Sequence, residues 1–232
     1  MAEENFYIPT TAGHVYACYK DSESQKLVVM IHGLAGTRNS VFFRDIPQFT
    51  QHATLRFDFT GQGRSEGEIQ FGFAPQLLQL KEVLASQTFQ KYTEIIYIGH
   101  SKGANLAILT ALPGSTVVAV APRFFVNQFN GTDVQDQIDS VRKGTTLQKE
   151  FFGKNISITK YDIDELDSLN FDLILQEKVL KLYVLSGNKD EYTEGLQTDK
   201  FKEFSIDGVQ KYDCGHFDFK FDELKNKLSK II

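Results

Sequence analysis

Apolar residues along the chain arrive in short blocks separated by polar, glycine-containing stretches, and the blocks follow two different spacings. Residues 26–31 (KLVVMI) are apolar without a break after Lys26, as expected of a strand covered on both faces. Further strands are expected at Asn5–Ile8 and His14–Tyr19, with Gly13 in the turn between them. Others are expected at Ala53–Phe59, Glu94–Ile98, Thr116–Val120 and Lys181–Ser186, with a weaker one at Glu203–Ile206. Three blocks have helical spacing. Leu77, Leu80 and Leu84 predict a helix over Ala74–Ser86. Ala104–Leu112 predicts another, stopped by Pro113-Gly114. Leu224 and Leu228 predict an amphipathic helix over Phe221–Ile232.

Strands that alternate with helices, and are themselves apolar throughout, predict an α/β fold: a mostly parallel central sheet with helices on both faces. The rhythm breaks between Ala121 and about Asn170. There Val134, Ile138 and Val141 suggest one helix, Ile156 and Ile158 suggest a short hairpin, and Phe124, Phe125, Phe129, Phe151 and Phe152 stand in an otherwise polar stretch. The expected division is a core of residues 1–121 and 171–232, with 122–170 as a small cap or lid over one end of the sheet. The alternative is an irregular extra layer with no part in binding. In an open parallel sheet, ligands bind beyond the carboxyl ends of the strands, so the loops after Ile31, Phe59, Ile98 and Ser186 are the ones to inspect.

Composition narrows the class. A chain of 232 residues, 41% apolar, fits one globular domain of the larger kind. Its net charge of −5 and lack of any basic run argue against a nucleic-acid partner. No apolar run reaches the ~18–20 residues of a membrane span. The acidic start, Met-Ala-Glu-Glu-Asn, lacks the basic-then-apolar order of a signal peptide. Cys18 and Cys214 form neither a disulfide framework nor a zinc pattern, so a reduced cytoplasmic setting is expected, with no metal and no cofactor.

The chemistry centres on Gly99-His100-Ser101-Lys102-Gly103. A serine between two glycines, after a strand and before a helix, is the arrangement of a nucleophile elbow. The glycines are needed because a Cβ at either position would collide in so tight a turn. The helix that follows directs free N–H groups and its dipole toward an oxyanion. A serine hydroxyl needs a base, and in this arrangement the acid and then the histidine follow the serine in the chain. Of His14, His32, His52, His100 and His216, only His216 leaves room for an acid between. Asp190, in the loop after the strand at Lys181–Ser186, is the expected acid. Glu191 is its local rival; Asp162, Asp164 and Asp167 fall in the insertion, and Asp213 is too close to His216. The oxyanion donors are expected to be the backbone N–H groups of Leu34, in His32-Gly33-Leu34-Ala35-Gly36, and of Lys102. His32 is expected to have a structural role, Asp58 and Ser65 to make local hydrogen bonds, Lys102 to be a solvated lysine rather than an anchor for an anionic substrate, and Cys214 to be a small packing residue.

Together, HGLAG, DFTGQGRSEG, GHSKGAN, the SGNKD loop and the CGH loop resemble the α/β-hydrolase superfamily over nearly the whole chain. Within it they are similar to the branch of serine-aminopeptidase-like and feruloyl (cinnamoyl) esterase-like hydrolases. Members of that branch carry a compact insertion after the strand that follows the elbow helix. The resemblance implies the triad Ser101, Asp190 and His216, with Leu34 and Lys102 as oxyanion donors. A serine nucleophile argues against the dehalogenase and epoxide-hydrolase chemistry of this fold, which uses aspartate. The expected function is hydrolysis of a small-molecule carboxylic ester with an acyl or aromatic-acyl group. Thioesters, amides or acyl transfer are alternatives with the same machinery. The rival from another class is a non-catalytic binding module on the same fold.

Overall fold

In the computed structural model, residues 2–129, 132–193 and 195–232 are described. Eight strands form one sheet: β1 (Glu4–Thr10), β2 (Gly13–Lys20), β3 (Lys26–Ile31), β4 (Ala53–Phe57), β5 (Glu94–His100), β6 (Thr116–Val120), β9 (Lys181–Gly187) and β10 (Ser205–Tyr212). Their order is β1-β2-β4-β3-β5-β6-β9-β10. β2 pairs antiparallel with both β1 and β4, and every other pairing is parallel. The carboxyl ends of β3, β5, β6, β9 and β10 therefore share one edge of the sheet.

The unbroken apolar runs of the central strands split by their two-residue period onto two cores. Leu27, Val29 and Ile31 of β3 face one side, with Tyr97, Val117, Ala119, Leu182 and Val184. Val28 and Met30 face the other, with Ile96, Ile98, Val118, Val120 and Leu185. The first core is closed by α2 (Ala74–Ala85), α3 (Lys102–Thr110) and α6 (Phe171–Lys178). The second is closed by Ile46 of the short α1 (Ile46–Phe49) and by Leu224 and Leu228 of α8 (Phe221–Leu228). A sixth helix of this framework, the short α7 (Gly195–Asp199), lies between β9 and β10.

Between β6 and α6 the chain builds α4 (Thr132–Arg142), the hairpin β7 (Leu147–Phe151) and β8 (Lys154–Ile158), and α5 (Lys160–Ser168). The hairpin pairs Phe151 with Lys154 and is not part of the main sheet. Its two turn residues, Phe152 and Gly153, both have positive φ (52° and 75°), as a two-residue loop of type I′ requires. Helix α5 starts on a capping box, with the Thr159 side chain and Asp162 bonding each other's backbone N–H.

Several expectations need correction. The strand expected to run to Phe59 stops at Phe57; the Asp58 N–H still donates to the Tyr16 carbonyl at 3.0 Å, and beyond it Gly61 and Gly63, both at positive φ, bend the chain. The helix expected from Ala104 begins at Lys102, directly on the elbow. The strand expected at Glu203–Ile206 lies instead at Ser205–Tyr212, preceded by a 3₁₀ turn over Lys200–Glu203. It is a polar edge strand with a register shift between Ser205 and Val209, near Gly208 at φ 65°, so it carries little apolar pattern. The last helix ends at Leu228 rather than Ile232.

Candidate active site

The elbow is formed by β5 running into α3 with Ser101 alone between them. Ser101 sits at φ 55°, ψ −126°, a conformation that L side chains rarely adopt, and its N–H donates to the Val120 carbonyl at 2.8 Å. A non-glycine residue held there stores about 1–3 kcal/mol of strain. The flanking glycines are required by crowding rather than by their own dihedrals. A Cβ on Gly99 would stand 2.3 Å from the Gly103 carbonyl oxygen, and one on Gly103 would stand 2.1 Å from that of Ile31. Both obstacles are backbone, so the strand and helix would have to separate. Gly103→Ala is expected to cost about 3 kcal/mol, at the upper end for overpacking, and to lower Tm by roughly 6–12 °C. A thermal melt followed by circular dichroism checks this, and an unchanged Tm would contradict it.

His216 follows β10 and Asp190 follows β9, and their buried side chains meet with Nδ1 2.8 Å from Oδ2. The Asp190 carboxylate is fully engaged. Oδ1 accepts the backbone N–H groups of Tyr192 (2.9 Å) and Thr193 (3.0 Å), and Oδ2 also accepts the Thr193 hydroxyl at 2.6 Å. Burial works to raise the Asp190 pKa. The hydrogen bond and charge of His216, with the bonds from Thr193, outweigh it and hold the carboxyl below its usual value. The rivals point elsewhere: Glu191 is exposed, and Asp213 pairs with Lys189 on the surface. His100, on β5 beside Ser101, is buried with Nε2 2.7 Å from the His216 carbonyl and its ring centroid 4.9 Å from that of His216. Burial, and next the neighbouring His216, push its pKa down to about 3, so it is a neutral imidazole whose Nε2–H donates and fixes the His216 loop.

The loop after β3 lies against Ser101, since a Cβ on Gly33 would stand 2.9 Å from that of Ser101. His32 bears out its expected structural role. Its Nε2 accepts the Phe59 N–H at 3.0 Å, so Nδ1 carries the proton and donates to the Gly33 carbonyl at 2.8 Å. Burial lowers its pKa to about 4, which keeps it neutral. Asp58 anchors the same region: it accepts the N–H groups of Arg38 (2.7 Å) and Arg64 (2.9 Å), and Ser65 Oγ donates to its carbonyl at 2.5 Å. Leu34 and Lys102 both border the cavity at Ser101. Among the described residues neither N–H is taken up by a turn or loop carbonyl, and Lys102, as the first residue of α3, has no partner within its helix.

Ser101 and His216 open onto a cavity of about 480 Å³ whose far wall belongs to the segment between β6 and α6: Val126, Phe129, Val134, Ile138, Leu147, Phe151, Phe152 and Ile158. Phe71, Phe73, Tyr192 and Phe217 complete the aromatic lining. Phe124 and Phe125 do not line it. Phe124 packs against Phe125, Phe201 and Phe204, with centroids 5.2, 5.0 and 6.3 Å away, so these rings serve the core. The expectation of a solvated Lys102 is overturned. Its Nζ is drawn to the carbonyls of Gln70 (3.3 Å), Phe71 and Gly72 (2.7 Å), and burial pushes its pKa down to about 7 against the pull of Glu165 and Asp162. The lysine thus tethers the 70–73 loop to the elbow. Sequence reasoning also missed Arg123 and Asn105, both of which border the cavity.

No protein-family model matches the chain, and no curated protein matches it in sequence. Solved structures do. Est1E from Butyrivibrio proteoclasticus with bound ferulic acid superposes with a TM-score of 0.74 at 15% identity, over 97% of this chain and 96% of that one. The alpha/beta hydrolase domain-containing protein 10 from mouse gives 0.75 at 16%, over 98% and 97%. Esterase Pf2001 from Pyrococcus furiosus gives 0.69 at 17%, over 99% and 91%. The chain has the α/β-hydrolase fold.

The elbow, the loop after β9 with Asp190, the loop after β10 with His216 and the loop after β3 all occupy the carboxyl edge of the sheet. Among the described residues no cluster of three or more His, Cys, Asp and Glu side chains is placed to hold a metal ion, and no helix is long and apolar enough to cross a membrane. Cys214, two residues before His216, is a buried free thiol in the second core. Burial, reinforced by Glu223 and Asp218, raises its pKa to about 11. At about pH 8 its thiolate fraction is then roughly a thousandth, and iodoacetamide should alkylate it in the folded protein about a hundredfold more slowly than an ordinary cysteine. Peptide mapping of the time course checks this, and labelling at the rate of free cysteine would refute it.

Proposed function

We propose that the protein is a serine hydrolase that cleaves carboxylic esters of apolar acyl groups through an acyl-enzyme. The observation that carries this reading is the buried His216–Asp190 pair, whose His216 borders the same cavity as a strained, elbow-borne Ser101. Asp190 holds the proton on Nδ1 of His216, which leaves Nε2 as the basic nitrogen. Nε2 takes the hydroxyl proton as Ser101 Oγ attacks the ester carbonyl carbon. The tetrahedral oxyanion is met by the N–H groups of Leu34 and Lys102, at the positive end of α3. His216 then passes the proton to the departing alkoxide, and the alcohol leaves. In the second half-reaction His216 takes a proton from water, hydroxide adds to the acyl carbon, and collapse frees the acid and returns the proton to Ser101. The segment 122–170 acts as the cap, its apolar side chains receiving the acyl chain.

A fluorophosphonate probe tests the nucleophile directly: it should label wild-type protein at Ser101 and leave Ser101→Ala unlabelled. Equal labelling of both, or of neither, would overturn the reading. A panel of p-nitrophenyl esters, matched thioesters and aminoacyl amides reads the leaving group, with oxygen esters expected to have the highest kcat/KM. An optimum at intermediate acyl length is expected from a cavity of about 480 Å³. A flat profile across acyl length would remove the cap from acyl binding.

A further inference from the structure

The cavity wall carries one guanidinium that the reaction above does not use. Arg123 follows β6 at the carboxyl edge, and its backbone is clamped by Asn105: Nδ2 donates to the Arg123 carbonyl at 2.7 Å, and the Arg123 N–H donates to Oδ1 at 3.1 Å. Asn105 is the fourth residue of α3, about 6 Å along the helix axis from Ser101. The clamp therefore fixes Arg123 close to the nucleophile. Its guanidinium donates to the Gln128 carbonyl and stands 5.5 Å from the centre of the Phe129 ring. Its Nε is buried and has no hydrogen-bond partner.

Arg44 and Arg64 are exposed, and the remaining arginines apart from Arg123 are neutralised. Arg38 pairs with Asp58, Arg56 with Glu3, and Arg142 with Asp139 and Asp167. Among the described residues Arg123 forms no ion pair, although burial lowers its pKa and so penalises its charge. A half-buried cation with no ion pair carries a desolvation cost, and one kept beside a cavity is readily explained by an anion that arrives with the ligand. The charges around the cavity agree. Among the described residues, Lys149 borders it on the cap side, with no closer hydrogen-bond partner than Gln137 at 3.5 Å, and the one acid lining it is the exposed Glu191. Lys102 is already committed to three carbonyls.

We propose that Arg123 is a specificity determinant that binds a substrate carboxylate, so that the preferred substrates are esters carrying a carboxylate beyond an apolar spacer. A guanidinium suits the planar, two-oxygen geometry of a carboxylate. This rests on the hydrolytic reading of the site, and it names the substrate class for it.

Mono-p-nitrophenyl esters of adipate, suberate and sebacate, set against p-nitrophenyl hexanoate, octanoate and decanoate, place the carboxylate on the acyl side. Para-acyloxybenzoates set against their methyl esters place it on the alcohol side. In one of the two arms the carboxylate substrate is expected to have a kcat/KM about tenfold to a hundredfold above its neutral counterpart. Arg123→Met should abolish that preference while keeping the neutral rate within a fewfold, and Arg123→Lys should restore part of it. Calorimetric titration with octanoate and octanamide, which needs no turnover, should show tighter octanoate binding in wild type and none of that advantage in Arg123→Met. No carboxylate preference in either ester arm, or an equal loss on both substrate types in the variant, would overturn the proposal. Should no ester be turned over, the hydrolytic reading fails by itself. The octanoate–octanamide difference and its dependence on Arg123 then decide the carboxylate site.

Discussion

Ser101→Ala is expected to lower kcat/KM for the best ester by about five orders of magnitude, leaving only what the oxyanion donors and binding contribute over water. The substitution removes one oxygen and leaves the elbow, its glycines and the His216–Asp190 pair in place, so the loss would fall on kcat. Ser101→Gly offers a sharper companion. Glycine occupies positive φ without penalty, so it relieves the strain at φ 55°. The relief of about 1–3 kcal/mol exceeds the roughly 0.5–1 kcal/mol that a more flexible unfolded chain costs. The glycine variant should therefore be as inactive as the alanine variant and yet more stable by about 1 kcal/mol, raising Tm by roughly 2–4 °C. Steady-state kinetics and thermal melts read both. Activity of Ser101→Ala within tenfold of wild type would remove Ser101 as nucleophile. A Ser101→Gly variant less stable than wild type would show that the elbow carries no releasable strain.

The parts of this molecule legible in its sequence are those where one constraint acts alone. Residues 26–31 and 116–120 are buried on both faces, so an unbroken apolar run marked their limits as the structure has them. Gly99 is forced by the elbow's own backbone and Gly103 by the Ile31 and His32 carbonyls, and both belong to the local motif that reported them. His216 and Asp190 came from chain order and strand ends, and the structure brings their side chains together. What escaped reading depends on partners distant in the chain. β10 is an edge strand with a mixed polar pattern, and α5 and α6 are short helices whose limits rest on Thr159 and Asn170 caps rather than on periodicity. A Thr-x-x-Asp capping signal at Thr159 was there to be read. Lys102 looked like a surface lysine because nothing nearby in sequence foretells the carbonyls of residues 70–72 closing over it. Arg123 carries no signal in its own neighbourhood, because its clamp, Asn105, is set 18 residues away. Three of the five histidines converge on the carboxyl edge, and only their hydrogen bonds separate the roles: His32 and His100 are held neutral by burial and bond backbone, while His216 bonds a carboxylate.

Asp190→Asn is the second substitution with a large expected effect, and its consequence follows from the four bonds that the carboxylate accepts. The backbone N–H groups of Tyr192 and Thr193 both donate to Oδ1. Two fixed donors there force the amide oxygen of an asparagine to that side, and the NH₂ then faces Thr193 Oγ1 and His216 Nδ1. An amide N–H directed at Nδ1 makes that nitrogen an acceptor and moves the imidazole proton to Nε2. The base then presents a proton to Ser101 instead of a lone pair. A loss of about 10⁴-fold in kcat is expected with the side-chain positions unchanged, because the tautomer alone is wrong. Thr193→Val, which removes the hydroxyl and keeps both backbone donors, should lower kcat far less. Steady-state kinetics of both variants, with nitrogen-15 NMR of the His216 ring to report the protonated nitrogen, makes the test. Asp190→Asn retaining more than a tenth of the wild-type kcat, or keeping its proton on Nδ1, would exclude Asp190 as the group that sets the histidine for catalysis.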